Sequence, residues 1–289
     1  MQFDLYTEEY FFSGKLKKAV KKMLGSYLRG PQSVALNLQA GLAEIGANFR
    51  FNQNPQASVA AVLNGTNALA WAIAQKKAGK FQKIAAGPNI VVLPQDSNGI
   101  LTNPLIDAII VPAEWVKNAY EKNAPELTGK IFVWPVGVSL PELDNITKDI
   151  DFLIFDKLGD KTLSLEITRH LKVQNKKICY IEYGKFRPQD YPKLLKHAKA
   201  MVYLGKTESQ GIAMFEAWAA NVPTFVLGQD DTASPYLTSQ SGMLFGTAED
   251  FKNKLPQFLS TSFSPRKYIE ENFTLAKSAQ AYLNIIQSL

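Results

Sequence analysis

The sequence predicts an α/β fold of two domains, each built on a doubly wound and mainly parallel sheet. Short apolar strands alternate with amphipathic helices along the chain, and the alternation restarts after a Pro-punctuated stretch at residues 135–141. A length of 289 residues with 46% hydrophobic and 20% charged residues suits two mid-sized globular domains. We expect domains over residues 1–139 and 140–265, and a C-terminal helix over 266–289 that returns to the first domain.

In the first half, strands with β-branched and aromatic residues are expected between helices with apolar residues at helical spacing. In chain order these are strand 3–6, a basic helix at 15–24, helix 34–45, strand 58–63, helix 68–77, strand 90–93, a short helix near 99–106, strand 108–111, helix 113–122 and strand 130–134.

The second half repeats the pattern and ends in one long helix. The expected elements are strand 151–155, helix 163–174, strand 177–183, helix 191–198, strand 200–204, helix 211–220, strand 224–227, strand 241–245, helix 248–259 and a last helix from 265 to 289. Ligands of open α/β sheets bind beyond the carboxyl ends of the strands. The loop at residues 206–211 is therefore expected to line a cleft between the domains.

Composition limits the classes of function. The first ten residues already carry acidic side chains, and no apolar run approaches the length of a spanning helix, so a cytoplasmic protein is expected. A net charge of +6 suits anionic ligands in general, but no recognition motif supports a nucleic-acid partner.

A cluster of lysines covers the predicted basic helix: Lys15, Lys17, Lys18, Lys21 and Lys22. Two interpretations stay open for this helix. It lies on the anionic inner face of a membrane, or it is an ordinary surface helix that packs its apolar stripe on its own domain.

Two carboxylates, Glu208 and Glu216, flank the start of the predicted helix 211–220. Carboxylates accept hydrogen bonds from sugar or ribose hydroxyls, and the backbone N–H groups at a helix start favour an anion such as a diphosphate. Each acid taken alone could be an ordinary surface residue. The apolar neighbours Phe215 and Trp218 indicate, however, that Glu216 is buried, and a buried acid requires a partner or a ligand.

These motifs resemble those of the GT-B glycosyltransferases, specifically the retaining enzymes of family four. Residues 208–223 (ESQGIAMFEAWAANVP) are similar to the family's E-S-F-G-x-x-x-x-E-A-x-A-x-G-x-P. Residues 110–116 (IVPAEWV) resemble V-P-S-x-x-V, and residues 134–138 (WPVGV) resemble the inter-domain P-x-G-V. Residues 234–237 and 241–245 resemble a later loop and the N-G-x-L-F turn. The resemblance implies a GT-B fold and transfer of a sugar from a nucleoside diphosphate sugar.

The resemblance also implies roles for the residues of the second domain. By position, Glu208 would bind the donor sugar, Glu216 would bind the ribose, and the backbone of Ser209, Gln210, Gly211 and Ile212 would meet the diphosphate. Lys157 stands where the family has an arginine, and Lys161 stands near its lysine. These two lysines would neutralise the diphosphate, or they are ordinary loop charges.

The first domain departs from the family pattern. Only Gly30 and Pro31 remain of a glycine-rich turn, and no histidine occurs in residues 62–66, where many relatives carry one. Asn64 or Thr66 takes the place of this histidine on the first-domain side of the cleft, or the first domain has lost the chemistry.

The expected activity is therefore retaining transfer of a sugar to an acceptor hydroxyl, with no cofactor and no metal ion. The acceptor is a saccharide, a lipid or a protein. The alternative is a GT-B module that binds a nucleotide sugar or a partner without turnover. A dinucleotide-dependent oxidoreductase is disfavoured because no Gly-x-Gly-x-x-Gly follows a predicted strand.

Overall fold

The computed structural model describes residues 1–11, 30–143 and 146–289. The lysine-rich helix predicted at residues 15–24, with its membrane contact, lies outside these residues. The described chain divides into two compact units. The first comprises Met1–Gly137 and Leu275–Leu289, and the second comprises Val138–Thr274. In the described residues, no helix is long and apolar enough to cross a membrane.

Eleven strands occur in the described residues, and each is short, as expected for parallel sheets. They are β1 (Phe3–Tyr6), β2 (Phe49–Phe51), β3 (Val59–Asn64), β4 (Lys83–Asn89), β5 (Ala108–Val111), β6 (Ile131–Val133), β7 (Ile150–Asp156), β8 (Ile178–Glu182), β9 (Ala198–Leu204), β10 (Thr224–Leu227) and β11 (Gly242–Phe245).

The helices of the described residues are numbered in chain order. They are α1 (Gly30–Glu44), α2 (Thr66–Lys77), α3 (Asp96–Gly99), α4 (Glu114–Asn123), α5 (Lys161–Val173), α6 (Asp190–His197), α7 (Ile212–Ala219), α8 (Ala248–Ser260), α9 (Pro265–Asn272) and α10 (Leu275–Gln287). Short 3-10 turns occupy Glu8–Phe11, Ile100–Thr102, Pro125–Leu127 and Asp231–Ala233.

Both sheets are parallel throughout, as the sequence predicts. The first has the order β2-β1-β3-β4-β5-β6, and the second has the order β11-β10-β9-β7-β8. In each sheet the direction of winding reverses once, between β1 and β3 in the first unit and between β7 and β9 in the second. Such a reversal opens a crevice at the carboxyl ends of the two strands.

The core of the second unit lies on both faces of its sheet. Because side chains alternate along a strand, Phe152 and Ile154 of β7 face one layer, while Leu153 and Phe155 face the other. Phe251 of α8 belongs to the first layer. The second layer contains α7, whose aromatic side chains are fully buried. The apolar character of α7 thus fixes it against the sheet.

Two expected elements of the first unit are wrong, and one strand was not expected. The strand predicted at residues 90–93 is instead β4, because pairing with β3 places Lys83–Ala86 beside Val59–Val62 and leaves Val92 83% exposed. The unexpected strand is β2, which an Arg50–Asp4 ion pair of 2.6 Å holds beside β1. The helix expected near 99–106 is the turn α3 followed by one 3-10 turn.

The single last helix expected over 265–289 is two helices. Phe273 packs against Phe215 with ring centroids 4.9 Å apart, and Thr274 forms an isolated bridge with Val138, so the chain leaves the helical path between α9 and α10. Residues 266–274 therefore belong to the second unit, and only α10 belongs to the first. There α10 approaches α1 at Gly41, where an added Cβ would lie 2.4 Å from a carbonyl oxygen of α10.

Candidate functional site

The winding reversal of the second unit brings the ends of β7 and β9 together. The backbone N–H of Lys157 donates to the carbonyl of Leu204 at 2.8 Å, and that of Leu158 donates to the same oxygen at 2.9 Å. Asp156 is buried at the end of β7 and accepts hydrogen bonds from Tyr180 Oη at 2.6 Å and from the N–H of Gly159 at 2.8 Å. These bonds fix the turn that carries Lys157.

Lys157 and Glu208 meet at this edge of the sheet. Lys157 Nζ lies 2.5 Å from Glu208 Oε1, and the Lys157 side chain is 35% exposed, whereas Glu208 is 8% exposed. The hydroxyl of Tyr203 donates to the same carboxylate oxygen. The Tyr203 ring stacks on Phe155 at 5.4 Å. Burial, with the charge of Glu208 second, raises the pKa of Tyr203 well above its usual value, so this group acts as a hydrogen-bond donor.

The loop before α7 is held from both sides. The N–H of Glu208 donates to the carbonyl of Thr232 at 2.8 Å, which ties the loop to the segment after β10. Gly211 has φ +83°, a backbone conformation that favours glycine at this turn into the helix. Ser209 is exposed, and Gln210 is buried.

The start of α7 offers backbone donors. The N–H groups of Ile212 and Ala213 have no partner among the described residues, because the first helical bonds come from Met214 and Phe215 to Gly211. Unpaired N–H groups together with the positive end of the helix dipole favour an anion.

Glu216 lies inside α7 and is partly buried. In the described part of the chain, no hydrogen bond or ion pair reaches its carboxylate, and desolvation alone raises its pKa from 4.5 to about 7. Tyr191 of α6 is the neighbouring tyrosine, since the charge of Glu216 adds to burial in raising the Tyr191 pKa. The Tyr191 hydroxyl donates to the carbonyl of Ala213 at 2.6 Å. The two carboxylates therefore differ: Glu208 is paired with a cation, and Glu216 is not.

Lys161 is placed apart from this group. It begins α5 with a side chain that is 70% exposed, and its Nζ lies 3.8 Å from Glu182 Oε2 at the end of β8. The structure therefore brings Lys157 to Glu208 but leaves Lys161 on a neighbouring acid at the same sheet edge.

The residues expected in the first domain lie at two places. Gly30 and Pro31 begin α1 and are exposed. Asn64 ends β3, and its side-chain oxygen accepts from the N–H of Glu8 at 2.9 Å, while Thr66 begins α2. Asn64 thus lies at the winding reversal of the first sheet, and a ligand role for these four residues stays a prediction.

Two tyrosines of this site, Tyr203 and Tyr191, were not among the residues predicted from the sequence. Tyr203 looked like one more apolar residue of a buried strand, and Tyr191 looked like the start of an amphipathic helix. The available signal for Tyr203 was its place, one residue before the end of a strand that leads into the Glu208 loop. In the described residues, no group of three or more His, Cys, Asp or Glu side chains is arranged to hold a metal ion.

The known proteins that match this chain were found by comparison with solved structures. No protein-family model and no curated protein sequence matches the chain. HepE (Alr3699) of Anabaena, solved in complex with UDP and glucose, is 11% identical with a TM-score of 0.67, and the match covers 100% of both chains.

Two further structures match over nearly the whole chain. The lipopolysaccharide outer core galactosyltransferase WaaB is 13% identical with a TM-score of 0.64, and the match covers 100% of this chain and 99% of WaaB. A glycosyltransferase of Rickettsia africae is 12% identical with a TM-score of 0.66, covering 99% and 98%. At these identities the likeness shows the fold. The chain has the GT-B fold, and this prediction from the sequence is confirmed.

Proposed function

We propose that this chain is a glycosyltransferase that moves a sugar from a nucleoside diphosphate sugar to an acceptor hydroxyl, with retention and without a metal ion. One observation carries the proposal. At the winding reversal of the second sheet, an ion-paired carboxylate precedes the free N-terminus of one helix, and an unpartnered carboxylate lies inside the same helix. A ligand with a hydroxylated sugar, a diphosphate and a ribose matches such an arrangement.

The diphosphate is assigned to the start of α7. Its negative charge suits the N–H groups of Ile212 and Ala213 and the ammonium of Lys157. Lys161 is the second cation of the proposal, because its long side chain starts at the same sheet edge and is exposed. Fixed donors of this kind stabilise the charge that grows on a leaving diphosphate, and loss of one donor costs about 3 to 4 kcal/mol.

The hydroxyl groups are assigned to the two acids. Glu208, oriented by Tyr203 and Lys157, would accept from the donor sugar, and Glu216 would accept from the ribose. In the reaction the bond from the sugar C1 to the diphosphate oxygen breaks with its electron pair on that oxygen. The acceptor oxygen then bonds to C1 on the same face, and its proton passes to the departing diphosphate.

The solved neighbours support a uridine nucleotide as the first donor to test. HepE was solved with UDP and glucose, and the pneumococcal O-GlcNAc transferase GtfA was solved with UDP and GlcNAc. This chain is similar in fold to both proteins.

The test measures release of nucleoside diphosphate by the purified protein from UDP-, GDP- and ADP-sugars. We expect Glu208→Ala to lower turnover by about 100-fold or more while nucleotide binding remains. Glu216→Ala should weaken nucleotide binding. Glu249→Ala, which removes an exposed acid on α8, is the matched control and should change neither.

Two outcomes would contradict the proposal in different ways. Full activity in both site variants removes the residue assignment. Binding of nucleotide sugars without any turnover in the unmodified protein identifies the second candidate, a binding module, which the departures of the first domain from its relatives favour.

A further inference from the structure

An exposed aromatic side chain stands beside the candidate site. Tyr183 directly follows β8, the edge strand of the second sheet, and is 50% exposed. The ammonium of Lys157 lies 5.5 Å from its ring centroid, and the buried Phe155 ring lies 6.2 Å away at 46°. One part of the Tyr183 ring is therefore held by the protein, and the rest faces solvent.

The backbone position that follows Tyr183 faces open space. Gly184 follows with φ +81°, and a Cβ added there would meet no atom within 4 Å. The N–H of Lys185 donates to the carbonyl of Glu182 at 3.0 Å, which closes a tight turn around Tyr183. The turn thus presents the ring from a fixed backbone without covering it.

A continuous set of aromatic contacts joins Tyr183 to the surroundings of Glu216. Phe155 contacts Tyr183 and also Tyr191, at 6.2 and 5.3 Å between ring centroids. Phe186, from the same loop as Tyr183, lies 5.9 Å from Tyr191. Tyr191 in turn lies near Glu216, whose charge adds to burial in raising the Tyr191 pKa. The exposed ring is therefore joined by direct ring contacts to Tyr191, the tyrosine beside Glu216, and it also lies beside Lys157.

We propose that Tyr183 is the stacking surface for the nucleobase of the donor. The inference rests on the proposed function, because it requires the ribose at Glu216 and the diphosphate at α7. A base has a π-face whatever its hydrogen-bonding edge, so stacking gives affinity with little choice among bases. Tyr183 is thereby a binding residue for purine and pyrimidine nucleotides alike, and it takes no part in bond breaking.

Calorimetric titration of three ligands tests this role: UDP, ADP and inorganic pyrophosphate. Tyr183→Ala should weaken UDP and ADP by about tenfold to 100-fold, the range for loss of one stacked base. It should leave pyrophosphate within about twofold, since pyrophosphate has no base. Tyr183→Phe keeps the ring and should bind all three ligands like the unmodified protein. Tyr183→Leu fills the same contact with Phe155 without a π-face and should resemble the alanine variant.

Each other outcome overturns the inference. If Tyr183→Ala binds UDP and ADP with unchanged affinity, the stacking role is wrong, while the proposed function stands. If it weakens pyrophosphate as much as UDP, Tyr183 acts through Lys157 and the stacking role is again wrong. If the unmodified protein binds neither nucleotide, the proposed function and this inference fail together.

Discussion

Replacing Glu216 by glutamine removes a charge from a site that stabilises it poorly. The carboxylate has a pKa of about 7 instead of 4.5, and desolvation is the cause. Because the folded state holds this proton more tightly than the unfolded state, the free energy of unfolding falls as the pH rises from 4.5 to about 7, and it stays low above that pH. At about 1.4 kcal/mol per pH unit, the difference between the two pKa values corresponds to a loss of about 3 kcal/mol in the free energy of unfolding.

The expected gain of Glu216→Gln follows from this sign. Because Glu216 keeps part of its surface, we expect a gain of about 1 to 3 kcal/mol at pH 8. At about pH 3.5 or below, where the acid is largely neutral in both states, the variant and the unmodified protein should be equally stable. Urea unfolding at about pH 3.5 and at about pH 8 measures both differences. Glu249→Gln, on an exposed side chain, controls for the loss of one charge.

A pH-independent difference between Glu216→Gln and the unmodified protein would refute this reasoning. It would mean that Glu216 has an ordinary pKa or a partner that stabilises its charge. The reasoning would also be refuted if Glu249→Gln reproduced the gain in stability at pH 8, because the gain would then come from the change in net charge.

Nucleotide binding supplies the second half of this prediction. The ionised carboxylate is the better acceptor for ribose hydroxyls, so the affinity of the unmodified protein for UDP should rise up to tenfold per pH unit and level off above pH 7. Glu216→Gln should bind UDP more weakly at pH 8 and lack this rise. The titration of UDP itself cancels in the ratio of the two affinities. Greater stability with weaker binding is the exchange expected of a functional site.

Two further substitutions, one in each unit, test single contacts of the folded chain. Tyr203→Phe removes the hydroxyl that donates to Glu208, and it should lower the free energy of unfolding in urea by about 1.5 to 3 kcal/mol. It should also lower the rate of sugar transfer about tenfold and leave nucleotide affinity unchanged. An equal loss of nucleotide affinity would contradict a positioning role for Tyr203. Gly65→Ala, at φ +90°, places a Cβ 1.8 Å from Glu8 Oε2 and should cost about 2 kcal/mol or more. Gly79→Ala, at φ +75° in open space, is its control and should cost about 1 kcal/mol; equal costs would show that Glu8 moves freely.

Much of the second unit could be predicted from the sequence, because its signals are local. Alternating strands and helices gave the parallel sheet, and the spacing of Glu208 and Glu216 around Gly211 marked the loop and helix of the site. The burial of Glu216 followed from its aromatic neighbours in α7. These inferences needed only the period of a helix and the cost of burying a charge.

The remaining features depend on contacts between distant parts of the chain. Nothing in the sequence near Tyr203 says that its hydroxyl would meet Glu208 instead of solvent. The sequence assigned Lys157 and Lys161 alike to the diphosphate and did not predict the ion pair with Glu208. The two lysines differ because the bonds around Asp156 fix the turn that carries Lys157, while Lys161 begins α5 with an exposed side chain. The break at Phe273 likewise needs the packing of that ring on α7.

The unequal pairing of the two acids has a physical consequence for ligand order. Glu208 is already neutralised by Lys157, so a diphosphate that approaches α7 competes with Glu208 for the same ammonium. Glu216 has no cation to share, and a ribose hydroxyl would relieve its desolvation without breaking any contact. Binding of the nucleoside therefore breaks no contact, whereas binding of the diphosphate competes with an existing ion pair. This difference predicts that Glu208→Gln, which removes the competing charge, strengthens the binding of UDP and leaves the affinity for uridine unchanged, which calorimetric titration of both ligands measures; an equal change for both ligands would contradict it.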